Sequence, residues 1–197
     1  MSMAASLLAL MLAVPPTPDP ASPPPGCRTK TFTVQHPAGW QVEQVEDSGD
    51  GREGCQYVQL RAEARLAGVV RVESAPESLP LFQQGDPVDT LIARISEGMG
   101  REMNVRVGKP IYANEDLKRA PGSSVDRAVL VVFEATVPGD ARAHEVVITV
   151  LHAPGHYFTV WVVSPAESAE ASLHEASRQA MREVLNSLSP VRGKPGR

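Results

Sequence analysis

Two stretches in the second half of the chain, RAVLVVFEATV (127–137) and HEVVITVL (144–151), are almost unbroken runs of apolar, mostly β-branched residues. A strand with one face in water alternates apolar and polar side chains, whereas a strand without alternation has both faces covered. A third run, YFTVWVV (157–163), follows closely. These predict strands at about 126–137, 142–152 and 156–164, joined by links of a few residues. Links that short exclude parallel crossovers, so the pairing is antiparallel. The chain must therefore supply material for both faces of an antiparallel sheet.

Two amphipathic helices answer that demand. Asp86 can cap a helix, Pro87 suits its first position, and Asp89 sits in the first turn. Val88, Leu91, Ile92, Ile95, Met99 and Met103 then recur at spacings of three and four, with Gly98 and Gly100 weakening the second half or ending it early. Near the C-terminus, Ser164-Pro165-Ala166-Glu167 matches a capping box with proline at the first helical position. A stripe from Ala169 through Leu173, Ala176, Ala180, Met181, Val184 and Leu185 to Leu188 runs up to Ser189-Pro190, where the helix must stop. Earlier, residues 31–36 and 39–45 read as strands around a Pro37–Trp40 turn, and 55–64 and 68–74 as a hairpin. Residues 105–114 form a weaker strand, and 120–124 a turn. The expectation is an α+β chain: an α/β/α sandwich with a central antiparallel sheet of about six to seven strands and two main helices on opposite faces. A two-layer fold with both helices on one face is the alternative.

The 197 residues, 42% hydrophobic and 21% charged, suit one domain with a core of its own. A net charge of −4 provides no basic footprint for nucleic acid. Residues 1–14 read as a signal peptide: AASLLALMLAV (4–14) is shorter than the ~20 residues that span a bilayer, and small residues near Ala13 suit signal peptidase, although no Lys or Arg precedes the run. Residues 15–28 form a proline-rich spacer, 29–190 the domain, and 191–197 a basic tail. Cys27 lacks an adjacent lipobox. With Cys55 it forms one disulfide if the chain is exported, or two thiols if it stays in the cytoplasm.

Candidate chemistry is sparse. His152 and His156 flank Ala-Pro-Gly; if that is a three-residue hairpin loop, they face each other across the strands with Cβ atoms ~5 Å apart and can offer two imidazoles to zinc or copper. No third ligand is placed by spacing; His36 or His144 would approach only through the tertiary fold. Glu46, Asp47, Asp50 and Glu53 crowd one acidic loop without the calcium-loop pattern. Ser123 and Ser124 follow Gly122 without a nucleophile elbow, and Cys55 has no neighbouring base. Glu134 and Glu145 interrupt apolar strands and are read as edge residues or arginine partners, with buried functional carboxyls of raised pKa as the alternative. No phosphate loop or dinucleotide fingerprint is present, so no cofactor is expected. Trp40, Phe133 and either Phe158 or Trp161 are core candidates, with Tyr157 and Trp161 on the face opposite Phe158.

Three stretches together resemble the Mog1/PsbP-like family: FTVQHPAGWQV (32–42) as its opening strands and Pro-x-Gly-Trp turn, EVVITVLHAPGHYFTVWVVSP (145–165) as its paired late strands, and EVLNSLSP (183–190) as the end of its closing helix. The resemblance spans roughly residues 29 to 190 and implies the same α/β/α sandwich. It implies non-catalytic binding rather than a reaction, and no catalytic residue to carry over. The expected function is thus an exported, non-enzymatic accessory protein of the bacterial cell envelope, periplasmic or extracellular, that binds a protein partner or assists assembly. The alternatives are a metal-binding protein or small metal-dependent hydrolase using His152 and His156, and a secretion-effector chaperone if the N-terminal segment is retained.

Overall fold

The structure is a computed structural model in which residues 26–47, 53–60, 66–114 and 125–191 are described. The expected signal peptide, most of the proline-rich spacer, Asp50, the 120–124 turn with Ser123 and Ser124, and the basic tail beyond Val191 lie outside them. The elements are β1 (Gly26–Arg28), β2 (Phe32–Gln35), β3 (Gln41–Asp47), β4 (Glu53–Leu60), β5 (Leu66–Pro76), α1 (Pro87–Glu102), β6 (Arg106–Asn114), β7 (Arg127–Thr136), β8 (His144–Ala153), β9 (His156–Pro165), α2 (Glu167–Ser187) and β10 (Ser189–Pro190).

Seven strands form one sheet in the order β3-β4-β5-β9-β8-β7-β6. Every neighbouring pair is antiparallel. From β5 the chain passes through a 3₁₀ turn at Pro80–Gln84 and then α1, and re-enters as β6 at the far edge. It then fills inward until β9 pairs with β5.

The unbroken apolar runs divide between two cores. On one face Val129, Val131, Phe133, Val146, Ile148 and Trp161 meet Leu91, Ile95 and Met99 of α1. On the other, Val132, Val147, Leu151, Phe158 and Val160 join a cluster with Ala180, Met181 and Val184 of α2. Successive residues Val146, Val147 and Ile148 are all at most 1% exposed. Each such side chain contributes roughly 1.5–3 kcal/mol on burial, which is why neither face tolerates a polar alternation. The sandwich is the three-layer form, with α1 on one face and α2 on the other.

α1 starts as its sequence predicts, with Asp86 Oδ1 accepting the Val88 N–H at 2.8 Å and Pro87 in the first turn. It runs through both glycines to Glu102, and just beyond it the chain turns at Asn104, a left-handed residue (φ 54°), so that the Val105 N–H reaches the Met99 carbonyl at 3.1 Å. α2 departs from expectation at its start. Ser164 and Pro165 stay in β9, Ala166 precedes the helix without a side-chain cap, and the Ser164 hydroxyl is buried with no hydrogen-bond partner. The pairing of His144 with Pro165 across β8 and β9 keeps that segment extended, so sheet pairing overrides the local capping signal.

The opening strands flank the Pro37–Trp40 turn but enter different sheets: β2 belongs to a small second sheet, β1-β2-β10, on the α2 side. The Pro37–Trp40 turn, closed by the Trp40 N–H to the Pro37 carbonyl at 3.2 Å with Gly39 at φ 79°, carries the chain from one sheet to the other. Trp40, 5% exposed, is buried in the α2-side core. Ser189-Pro190 does end α2, and then pairs with Phe32 and Thr33. A Cys27–Cys55 disulfide ties the small sheet to β4.

Candidate functional site

The β8–β9 hairpin was expected to present His152 and His156 as a cross-strand pair. It does not. Ala153 faces His156 and His152 faces Tyr157, so the loop is the two residues Pro154-Gly155, with Gly155 at φ 91°. A proline followed by a glycine with positive φ closes a two-residue turn, and a one-residue change of register moves a side chain to the other face. His152 therefore lies on the α1 face and His156 on the α2 face, 6.1 Å from the Phe158 ring. The two imidazoles share no site.

His152 is instead held between acids from two other elements. Its Nδ1 bonds Asp126, just before β7, and its Nε2 bonds Glu77, just after β5. The pairing of Arg127 with His152 delivers Asp126, and the Glu77 N–H bond to the Gly155 carbonyl at 3.1 Å delivers Glu77. Tyr157 lies against the imidazole at 4.7 Å between ring centres, and Phe82 against Tyr157 at 5.0 Å. Arg127 bonds Asp86, the α1 cap, at 3.4 Å. Partial burial works against a charged imidazole, but the hydrogen bonds and charges of Glu77 and Asp126 outweigh it and raise the His152 pKa above its ordinary value. Burial, then the charges of Glu77 and Asp86, push the Tyr157 phenol up as well. When protonated, the imidazole donates one N–H to each carboxylate and clamps together the ends of β5 and β7 and the strand β8. Among the described residues no group of three His, Cys, Asp or Glu is placed to hold a metal ion.

The remaining candidates are structural partners. Glu145 bonds Arg178 of α2 at 2.6 Å and His174 at 3.3 Å, the arginine pairing its sequence position suggested, whereas Glu134 is exposed. His144 Nδ1 donates to the Arg142 carbonyl at 2.9 Å, and Arg142 joins Asp140 to Glu170, the kinked residue of α2. Hydrogen bonds from Arg142 outweigh burial and hold the Asp140 carboxyl far below the usual carboxylate range. Glu53 is not a loop ligand: it is 7% exposed in β4 and accepts from the Thr31 N–H at 3.0 Å and the Thr31 hydroxyl at 2.9 Å.

Two surface features had no sequence argument behind them. One is the outer edge of β6, where Ile111 and Tyr112 are 52% and 54% exposed. The other is a cleft beside the second half of α1, lined by Arg71, Arg94, Gly98, Met99, Glu102 and Trp161 among others. The available signal for it was the spacing of Arg94, Gly98 and Arg101, which sets two cations and a gap on one helical stripe.

The architecture is an α/β/α sandwich around one antiparallel sheet. No family model matches the chain, and no curated protein matches it. Among solved structures it is similar to cyanobacterial PsbP (CyanoP) from Synechocystis sp. PCC 6803, at 14% identity and a TM-score of 0.49 over 81% of this chain and 86% of that one. It is also similar to LpqN, described as involved in cell envelope biogenesis of Mycobacterium tuberculosis, at 9% identity and a TM-score of 0.44 over 87% of each chain. A protein from Bacteroides thetaiotaomicron is similar at 9% identity and a TM-score of 0.42 over 82% of this chain, which spans 45% of that one. Likeness at these values transfers no ligand, partner or activity.

Proposed function

We propose that this chain is an exported, non-catalytic accessory protein of the bacterial cell envelope that binds a protein partner through the outer edge of β6. The observation that carries the reading is the exposure of Ile111 and Tyr112, neighbours on an edge strand whose remaining residues include Arg106 and Lys109. Large apolar side chains this exposed, one of them a tyrosine, are the kind of anchor that protein interfaces bury. Pro110 has no N–H to offer, and the register shifts on both sides of it. The edge is therefore a poor template for an added strand, and the partner docks on side chains. It presents an apolar recess with an acidic rim facing Arg106 and Lys109. The Cys27–Cys55 disulfide suits an oxidising compartment.

The test is a photo-crosslinking residue at Tyr112 in cells of the source, with one at exposed Ser172 on α2 as control. A single adduct from position 112, lost in Ile111→Ser and absent from position 172, is expected. An adduct that persists in Ile111→Ser overturns the β6 reading. Mass spectrometry of the native N-terminus tests export: retention of residues 1–14 favours the secretion-effector chaperone instead.

A further inference from the structure

α1 packs over β6 and β8, and β4 and β5 lie beyond β9 in the sheet. Between the second half of the helix and those strands lies a cleft of about 210 Å³. Two of its lining residues, Trp161 and Met99, are only 4% and 2% exposed and form its floor. On the helix wall stands Gly98, where a Cβ would meet no atom within 4 Å. Arg94 and Arg101 lie one turn to either side of it, and no ion pair among the described residues engages either. From β5, Arg71 places its guanidinium 5.9 Å from the centre of the Trp161 ring. Its Nε donates to Glu73 at 2.7 Å, and its Nη1 stands 3.6 Å from the carboxylate of Glu102, whose side chain is 66% exposed. The Trp161 indole N–H is buried and has no acceptor.

We propose that this cleft binds a small amphipathic carboxylate, its acid group on Arg71 between Arg94 and Arg101 and its apolar body on Trp161 and Met99. A guanidinium fork matches a carboxylate in shape and charge, and Arg71 is held ready by Glu73 and by the indole face beneath it. Exposed Glu102 stands beside Arg71 at more than hydrogen-bond distance, and an incoming acid takes its place. Three carboxylates, Glu53, Glu73 and Glu102, line the cleft against Arg71, Arg94 and Arg101; a phosphate dianion would meet all three acids, whereas one carboxylate replaces Glu102 and finds two further guanidinium groups. The floor is apolar and includes a methionine thioether, which adapts to varied shapes. Buried donors are rarely left without an acceptor, and the orphaned indole N–H belongs to a residue that lines this cleft. The acid is either a free small molecule or the C-terminal residue of a polypeptide; both offer the same chemistry.

Isothermal titration of the full chain tests this with 3-phenylpropionate and its amide, and with the peptide acetyl-Ala-Ala-Phe as free acid and as amide. At least one acid is expected to bind, with its amide at least tenfold weaker. Tighter binding of the peptide acid identifies a polypeptide terminus, and tighter binding of phenylpropionate a free acid. Glu102→Gln is expected to tighten binding severalfold, and Arg94→Gln with Arg101→Gln to weaken it severalfold. Gly98→Leu is expected to abolish binding with the melting temperature held. No binding by either acid, equal binding of acid and amide, or full binding by a folded Gly98→Leu protein overturns the proposal. β4 and β6 lie toward opposite edges of the sheet, so Ile111→Ser should leave this titration unchanged and either proposal can fail alone.

Discussion

His152 owes its charge to the carboxylates of Glu77 and Asp126, which reach it from β5 and β7, with Arg127, Asp86 and Tyr157 completing the charged and titratable groups around it. Its folded pKa is raised from the ordinary 6.5. A raised imidazole pKa means that the folded state holds the proton more tightly than the unfolded chain. The stabilisation is then fully present below about pH 6.5 and is lost as pH rises through the raised value. We therefore expect His152→Gln to destabilise most below about pH 6.5 and the gap from the parent protein to narrow as pH rises above it through the raised value. Urea midpoints across that range measure it, and a gap widening toward high pH would contradict the clamp. Sequence reading picked out His152 as a residue of interest and assigned it the wrong neighbour. Nothing in HAPGH distinguishes a two-residue from a three-residue turn with certainty, and that single residue decides which face His156 occupies. Glu77 and Asp126, 75 and 26 residues away in sequence, enter only through strand order.

At the scale of elements, two glycines at helix–sheet contacts should respond in opposite ways to the same substitution. Gly98 sits within α1 with open space where a Cβ would stand. Gly98→Ala should stabilise by about 0.5–1 kcal/mol, because alanine loses less backbone entropy in a helix and here meets no clash. Gly68, in β5, has no such room. A Cβ there would lie 2.8 Å from the Ser177 hydroxyl of α2 and 3.0 Å from the Trp40 ring. Gly68→Ala should cost about 1–3 kcal/mol as α2 or Trp40 is pushed outward. Denaturant midpoints of the two variants check both signs, and a stabilised Gly68→Ala protein would mean that α2 is not seated on β5 as closely as described. The α1 stripe was legible because its period and its Asp86-Pro87 start point to the same helix. The start of α2 was not: its capping motif is genuine in composition, but Ser164 and Pro165 are taken by β9, and a local motif cannot report a competing strand. Ser177 was missed for a similar reason. A serine on an apolar stripe reads as polar, yet it is fully buried where Gly68 leaves space.

For the molecule as a whole, the doubly buried runs were enough to forecast a sheet covered on both sides, since no other arrangement hides both faces of VVF (131–133) and VVITV (146–150). The separate small sheet was not foreseeable from alternation, because β2 and β3 have the pattern of a hairpin and differ only in which partner the Pro37–Trp40 corner turns them toward. That sheet unites both ends of the described chain: β2 pairs with β1 on one side and β10 on the other, and the Val191 N–H reaches the Thr31 carbonyl at 2.7 Å. Polar and covalent ties fasten it to the main sheet: Glu53 of β4 accepts from Thr31, the Thr31 hydroxyl also meets the Ser74 hydroxyl of β5 at 2.7 Å, and the Cys27–Cys55 disulfide closes a loop of sequence separation 28. A cross-link over a loop of that length restricts the unfolded chain by about 3 kcal/mol. It also holds β1, which is only three residues long, against a partner strand too short to retain it alone. The expected result of Cys27→Ser with Cys55→Ser is therefore uneven. Global stability should fall by about 3 kcal/mol, and amide exchange should rise first in β1, β2 and β10, while the amides of β7, β8 and β9 keep protection equal to the remaining global stability. Uniform loss of protection across both sheets would show instead that the small sheet is an inseparable part of the main core, and an unchanged denaturation midpoint would show that the disulfide restrains neither.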